Sequence, residues 1–261
     1  MSLSNLLILT ALFFLTSVVG VVTGSNSLVT VPVMFQFGID EKVAVATNMF
    51  GLTFMAIGGT IPFVRQGSLE VRRLSPILAV TVIGSAIGAM LVGLITNEAV
   101  KVIVSIAMIV IVVFTLVNPR KRESLTADDP TPDMPVPTRG PITINLATCV
   151  IAFILAIYGG LYSGGYVTIL TATLVAFAGM TITESIGATK LINVFSSGIA
   201  TLVFMWQGLI DYRLGIILAV AMFAGAYTGA HYASQMNEVW LRRIFLTTVL
   251  VLAIKLLVDL I

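Results

Sequence analysis

Lys190 stands several residues inside an apolar stretch, a position where its charge needs a partner. An ammonium there is costly unless it is paired, faces water or binds an anionic ligand. Thr189 and Asn193 fall within the same helical turn, since residues three and four apart share a helix face. Together these residues offer one positive charge with hydroxyl and amide donors, which suits an anion. The alternatives are a lysine that snorkels to the membrane surface or one that pairs with Glu184.

Two glycine-rich breaks, at residues 23–27 and 162–166, interrupt the apolar sequence, and each leads into a short apolar run. In lipid, irregular backbone persists only where it lines a cavity or is buried in protein. The short helix after each break directs its N-terminal N–H groups towards that cavity, where they favour an anion. Small residues that merely permit close helix packing are the alternative interpretation.

These features define a candidate substrate site to which both halves of the chain contribute. Polar side chains and backbone N–H groups of the breaks would contact the solute, with Lys190 as charge complement. Asn48 takes in the first half the place that Lys190 takes in the second. The predicted site residues are Gly24, Ser25, Asn26, Asn48, Ser163, Gly164, Gly165, Thr189, Lys190 and Asn193.

The composition excludes a soluble domain and several classes of function. Hydrophobic residues make up 58% of the chain and charged residues only 10%, whereas soluble domains carry about 25% charged residues. A net charge of +2 without a basic stripe excludes a nucleic-acid partner. One cysteine and one histidine leave no basis for a disulfide or a cysteine- or histidine-rich metal site. Since enzyme and cofactor motifs are also absent, we expect neither enzymatic activity nor a cofactor.

The length of the apolar runs predicts an all-α polytopic membrane protein. About 20 apolar residues cross a bilayer as a helix. About eight runs reach that length, at 5–22, 43–63, 74–95, 99–117, 142–160, 184–205, 214–234 and 240–258. Two shorter runs, at 26–38 and 166–179, are predicted as broken or re-entrant segments.

The chain divides into a first membrane repeat at 1–117, a polar linker at 118–141 and a second membrane repeat at 142–261. Gly84 and Gly88 recur in the second repeat as Gly225 and Gly229, and both pairs are predicted helix–helix contacts. The same offset along the chain relates Gln66-Gly67 to Gln207-Gly208 and Lys101 to Arg242. A constant register over the whole half indicates a two-fold internal repeat, which is common in secondary transporters.

The distribution of positive charge indicates the orientation of the chain. Arg65, Arg72, Arg73 and the cluster at 120–122 share one side, which the positive-inside rule makes cytoplasmic. Counting charges does not separate inverted from parallel repeats. The uncharged start and the acidic end favour both termini outside, and therefore the inverted arrangement.

Several motifs resemble the sulfite exporter TauE/SafE family, also called the TSUP family. They are the two glycine breaks, Val31-Pro32, Ala46-Thr47-Asn48 and the sequence Gly-Ala-Thr-Lys-Leu-Ile-Asn at 187–193. The first break departs from the family pattern, because Gly24-Ser25-Asn26 stands where a run of glycines is common. The resemblance covers essentially the whole chain and implies a multi-pass transporter of small sulfur-containing anions in the cytoplasmic membrane of a prokaryote.

The sequence therefore predicts a secondary transporter that moves a small anion, such as sulfite or a sulfonate, by alternating access. An uncoupled, channel-like anion facilitator is the alternative, because no carboxylate lies at the centre of a long run. A membrane-embedded assembly protein is a third interpretation, which the lack of a sizeable soluble domain disfavours. The expected partners are the anionic solute and the lipid bilayer, and a homo-oligomer is compatible with the sequence.

Overall fold

The computed structural model describes residues 2–24, 26–65, 71–117 and 144–232, and all regular secondary structure in these ranges is α-helical. The helices are α1 (Leu3–Thr23), α2 (Ser27–Gln36), α3 (Glu41–Arg65), α4 (Val71–Leu94), α5 (Asn97–Val117), α6 (Leu146–Leu161), α7 (Tyr166–Ala178), α8 (Ile182–Trp206) and α9 (Tyr212–Tyr232). The predicted all-α membrane fold is confirmed at this level. The linker at 118–141 and the predicted span at 240–258 lie outside the described residues.

Five of the described helices, α1, α3, α4, α8 and α9, are long and apolar enough to cross a membrane. The two short segments also form as predicted, with 10 residues in α2 and 13 in α7. The run at 142–160, predicted as a long span, forms a helix of only 16 residues. The reason is local: the Asn145 side chain accepts from the N–H of Thr148 at 2.8 Å, so α6 begins at Leu146 and ends before the second break.

The centre of the bundle is formed by α3 and α8, which pack against each other. In these two helices, 72% and 61% of the membrane-spanning window is buried, against 28% in α1. Large apolar side chains on the outer helices point away from the bundle, among them Leu15, Ile83, Ile106 and Val220. Apolar side chains on the outside and buried polar ones between the central helices are the pattern of a protein surrounded by lipid.

The first helix of each half packs on the fourth helix of the other half, α6 on α4 and α1 on α9. A Cβ at Gly88 would lie 1.9 Å from the carbonyl oxygen of Ile157, and one at Gly229 would lie 2.4 Å from that of Val18. Gly84 and Gly225 approach the same two helices. The predicted role of both glycine pairs in helix–helix contacts is confirmed.

Candidate functional site

A cavity lies where the two breaks meet α3 and α8. Its polar wall contains residues of both breaks and of α8, and its apolar wall is supplied by α1, α3 and α7. The lining residues are Gly20, Val21, Gly24, Asn26, Ser27, Leu52, Met55, Ala56, Ser163, Val167, Lys190 and Asn193. Five of the predicted site residues are therefore brought together: Gly24, Asn26, Ser163, Lys190 and Asn193.

The first break is made by Gly24, which ends α1 in the left-handed conformation at φ 79°. This conformation suits glycine, because it has no Cβ to clash with the backbone. Asn26 follows at the start of α2 with 3% of its surface exposed. Its Nδ2 donates to Ser17 Oγ and contacts Met55 Sδ, each at 3.3 Å, while its Oδ1 has no hydrogen-bond partner. The first break thus presents one buried side-chain carbonyl without a partner next to the cavity.

The second break is held against the first by tyrosine side chains. Tyr162 ends α6, and its hydroxyl donates to the carbonyl oxygen of Ser27 at 3.0 Å. Ser163, which lines the cavity, has a φ of 61° and is the one non-glycine residue with positive φ among those described. The Tyr158 hydroxyl donates to the carbonyl oxygen of Gly164. These bonds fix irregular backbone that would otherwise be costly inside a membrane.

The two short helices differ from their neighbours at their N-termini. The N-cap residues of α2 and α7, Asn26 and Gly165, provide no side-chain hydrogen bond to the first turn. Five other described helices, α1, α3, α5, α6 and α9, have such a bond, accepted by Ser2, Asp40, Thr96, Asn145 and Asp211. α8 has a complete capping box between Thr181 and Glu184. Among the helices whose N-cap residue the structure describes, only the two that start at the cavity lack a side-chain hydrogen bond from the N-cap to the first turn.

Lys190 lies in α8 with 6% of its surface exposed and forms part of the cavity wall. It makes no hydrogen bond or ion pair with any residue that the structure describes. The carboxylate of Glu184, the partner that the sequence offered, instead accepts from the N–H and Oγ1 of Thr181 at 2.9 and 2.8 Å. Asn193, one turn further along α8, has 8% of its surface exposed and an Oδ1 without a partner.

Asn48 and Thr189 lie behind the cavity rather than in its lining. Asn48 accepts from Thr30 Oγ1 at 2.7 Å and donates to Ser27 Oγ at 3.0 Å, so it attaches α2 to α3. Thr189 shares a hydrogen bond of 3.2 Å with Thr171 and donates to the carbonyl oxygen of Ile186, which attaches α7 to α8. Both residues hold the short helices that carry the breaks.

Two further predicted residues, Gly164 and Gly165, are not in the lining. The N–H of Gly164 donates to the carbonyl oxygen of Tyr162 at 2.8 Å, and a Cβ at Gly165 would meet Ile111 of α5. Ser25 lies outside the described residues.

Sequence reasoning did not select several of the lining residues. Ser27 stands within the first break, and the apolar contacts from Leu52, Met55 and Ala56 lie on one face of α3. The internal repeat could have identified that face, because the offset that relates the two glycine pairs also relates Leu52 to Asn193. The lining also includes Gly20, Val21 and Val167, for which no signal distinguishes them from ordinary packing residues.

The chain matches the family model described as "Sulfite exporter TauE/SafE" over residues 9–256. It is 22% identical to the probable membrane transporter protein ORF9 of Sinorhizobium sp, over 94% of this chain and 90% of that one. It is 24% identical to the probable membrane transporter protein YfcA of Escherichia coli strain K12, over 97% and 91% of the two chains. It is 25% identical to the probable membrane transporter protein YdhB of Bacillus subtilis strain 168, over 93% and 96%.

No solved structure matches the chain significantly. The family match nevertheless spans nearly the whole chain, including both breaks, both short helices and the wall formed by α3 and α8. The all-helical bundle with an apolar exterior and an internal cavity agrees with a membrane transporter. The chain belongs to the TauE/SafE sulfite exporter family of membrane transporters.

Proposed function

We propose that this chain is a secondary transporter that moves a small sulfur-containing anion, sulfite or a sulfonate, across the cytoplasmic membrane of a prokaryote. One observation carries the proposal: Lys190, which has no described partner, and two uncapped helix N-termini meet at one cavity. Both features favour negative charge, and no described carboxylate lines the cavity to satisfy them. An anion would bind Lys190 and the first-turn N–H groups, with the Ser163 hydroxyl and the side-chain amide nitrogen of Asn193 as further donors. The Asn26 carbonyl oxygen can accept only from a hydroxyl group of the solute, since its amide nitrogen already donates to Ser17.

Alternating access is supported by contacts that repeat between the halves at 1–117 and 142–261. Thr30 bonds Asn48 in the first half, and Thr171 bonds Thr189 at the equivalent place in the second. The N–H of Asp211, beyond the end of α8, donates to Thr47 near the start of α3 at 3.0 Å. The equivalent helices α3 and α8 therefore run in opposite directions, as inverted repeats require.

The uncoupled facilitator remains a second candidate, because no carboxylate that could carry a proton lines the cavity among the described residues. Flux assays in reconstituted vesicles separate the two functions. A secondary transporter accumulates its anion against a gradient when a second gradient is imposed, whereas a facilitator only equilibrates it.

The anion site is tested by thermal melting of the detergent-purified protein against sulfite, isethionate (2-hydroxyethanesulfonate), sulfate and acetate. A ligand at a hundredfold excess over its dissociation constant stabilises the folded state by about 2.7 kcal/mol. We expect sulfite or isethionate to raise the melting temperature of the wild type. Lys190→Met should weaken that binding about 10- to 100-fold, the equivalent of one charged hydrogen bond.

Arg213→Met is the matched control, since it also removes one positive charge but from an exposed position in α9, outside the cavity lining. It should leave the ligand response unchanged. An unaltered response in Lys190→Met, with the protein folded, would assign Lys190 to structure and remove the main support for an anionic substrate.

A further inference from the structure

Among the described residues that line the cavity, Lys190 is the one with a titratable side chain. The helices packed on α8 are α3, α4, α6 and α7, and none of their described titratable residues reaches that lining. Glu41 and Lys42 lie at the start of α3, and Arg72 and Arg73 at the start of α4. Cys149 and Tyr158 belong to α6, and Tyr166 to α7. Neither α1 nor α2 contains a titratable residue.

The other titratable groups near the breaks are already engaged. The hydroxyls of Tyr158 and Tyr162 donate to the backbone carbonyls of Gly164 and Ser27. Glu184 is held in its capping box at the start of α8. The charge of the cavity therefore depends on two things, the protonation of Lys190 and the presence of an anion.

We propose that Lys190 couples the two halves of the transport cycle to a proton, because the cavity reorients only when it is electrically neutral. This inference rests on the proposed function and deepens it by naming the coupling ion. A bare ammonium inside the membrane costs several kcal/mol, since nothing repays its lost hydration. An anion removes that cost by pairing with the ammonium. Without an anion, Lys190 can become neutral by losing its proton.

The cycle that follows balances charge and protons. On the first side, protonated Lys190 binds one monovalent anion, and the neutral complex reorients. On the second side the anion leaves, the ammonium then releases its proton to the same solution, and the neutral amine returns. It takes a new proton on the first side. Each turn moves one anion and one proton in the same direction, with no net charge.

A sulfonate is the appropriate probe, because a sulfonic acid stays ionised and cannot carry the proton itself. Vesicles containing the protein, labelled isethionate and a pH-sensitive dye in the lumen are diluted into isethionate-free buffer. We expect isethionate efflux to make the lumen alkaline, with one proton leaving for each anion. Because the cycle is electroneutral, potassium and valinomycin should not change the initial rate.

Lys190→Arg gives a second and independent test. A guanidinium is always protonated, so this variant keeps the positive charge but cannot lose it. We expect Lys190→Arg to exchange labelled for unlabelled isethionate across the membrane, since both crossings are then made with anion bound. Its net efflux should fall to the level of protein-free vesicles. Lys190→Met should lose both exchange and net efflux.

The outcomes separate this inference from the proposed function. Efflux by the wild type without alkalinisation, or at a rate that valinomycin increases, would overturn proton coupling and leave the anion transporter intact. Net efflux by Lys190→Arg at the wild-type rate would do the same. Failure of the wild type to bind or move isethionate would refute the sulfonate function, and proton coupling with it.

Discussion

The contacts that join the two halves are alike, whereas the cavity between them is lined unequally. Gly84 and Gly88 approach α6 as Gly225 and Gly229 approach α1, each with backbone in direct contact. In the cavity, however, the first half contributes Leu52 and Met55 from α3 and the second contributes Lys190 and Asn193 from α8. The glycines that join the helices are therefore not the residues that line the cavity. We expect substitutions in one set to leave the other unaffected.

A similar difference separates two asparagines, Asn48 behind the cavity and Asn193 in its lining. Asn48 uses its carbonyl and its amide nitrogen on α2, so its polar groups are satisfied within the protein. Asn193, near the corresponding place in α8, keeps a buried carbonyl without a partner. Buried polar groups without partners cost free energy, so the Asn193 carbonyl favours a hydrogen bond from a donor outside the protein, whereas the polar groups of Asn48 do not need one.

The largest effect should come from substitutions at the glycines of the α4–α6 and α1–α9 contacts, which test whether the two contacts are equivalent. Gly88→Ala and Gly229→Ala would each place a methyl group against a backbone carbonyl, at 1.9 and 2.4 Å, which cannot move without separating two helices. We expect each to lower the free energy of unfolding by about 3 kcal/mol, at the upper end of ordinary overpacking. Thermal melting in detergent measures both.

Gly198→Ala is the matched control, because a Cβ there meets only Thr53 at 3.9 Å. It should be neutral or stabilise α8 by up to about 1 kcal/mol through helix propensity. A loss of stability in Gly88→Ala with none in Gly229→Ala would show that the α4–α6 and α1–α9 contacts are not equivalent.

The second prediction tests whether the two halves contribute unequally to the cavity. Asn48→Leu removes the acceptor of Thr30 Oγ1, which keeps only its longer bond to the carbonyl oxygen of Asn26, and removes the donor to Ser27 Oγ. It should lower the free energy of unfolding by about 1 to 3 kcal/mol. Asn193→Leu removes an already unsatisfied carbonyl and should leave stability unchanged or raise it. Anion affinity should respond in the opposite order, because Asn193→Leu also removes the amide N–H donors of Asn193. We expect it to weaken anion binding about 3- to 10-fold, the equivalent of one neutral hydrogen bond.

Melting of both variants with and without isethionate measures the two effects in one experiment. Asn48→Leu should lower the melting temperature and preserve its shift on adding isethionate. Asn193→Leu should leave the melting temperature unchanged or raise it, and should reduce that shift. Equal effects on stability would mean that Asn193 is held by the protein, and its place in the site would be lost.

Much of this arrangement could be predicted from sequence because glycine and capping residues act locally. The run at 166–179 forms α7 at Tyr166–Ala178, between the left-handed glycines Gly165 and Gly179. The meeting of the breaks with Lys190 and Asn193 followed from the cost of irregular backbone and of charge in lipid. Length and apolarity alone placed α1, α3, α4, α8 and α9.

Other features depend on contacts between distant helices, which periodicity does not reveal. Asn48 was predicted at the solute, but Thr30 and Ser27 on α2 take up its hydrogen bonds. The Gly164 N–H was predicted as a donor to the solute, but it donates to the carbonyl oxygen of Tyr162 at 2.8 Å. The apolar run at 142–160 gave no sign of a 16-residue helix, because the cap at Asn145 decides where α6 begins. In each case a residue on a distant helix, or one local hydrogen bond, decides which group a residue contacts or where a helix begins.

The smallest predicted effect compares the hydroxyls that attach the short helices. Thr30→Val removes the donor to Asn48 Oδ1, which is fully buried, and should cost about 1 to 2 kcal/mol of unfolding free energy. Thr171→Val makes the same change at the equivalent place in the second half, but Thr189 still donates to the carbonyl oxygen of Ile186. We expect its cost to remain below about 0.5 kcal/mol, since no buried group loses its only partner. Thermal melting of the two variants side by side gives the difference. If Thr171→Val lowered the free energy of unfolding as much as Thr30→Val, the attachment of the short helix would be equally important in both halves. The two halves would then differ only in the residues that line the cavity.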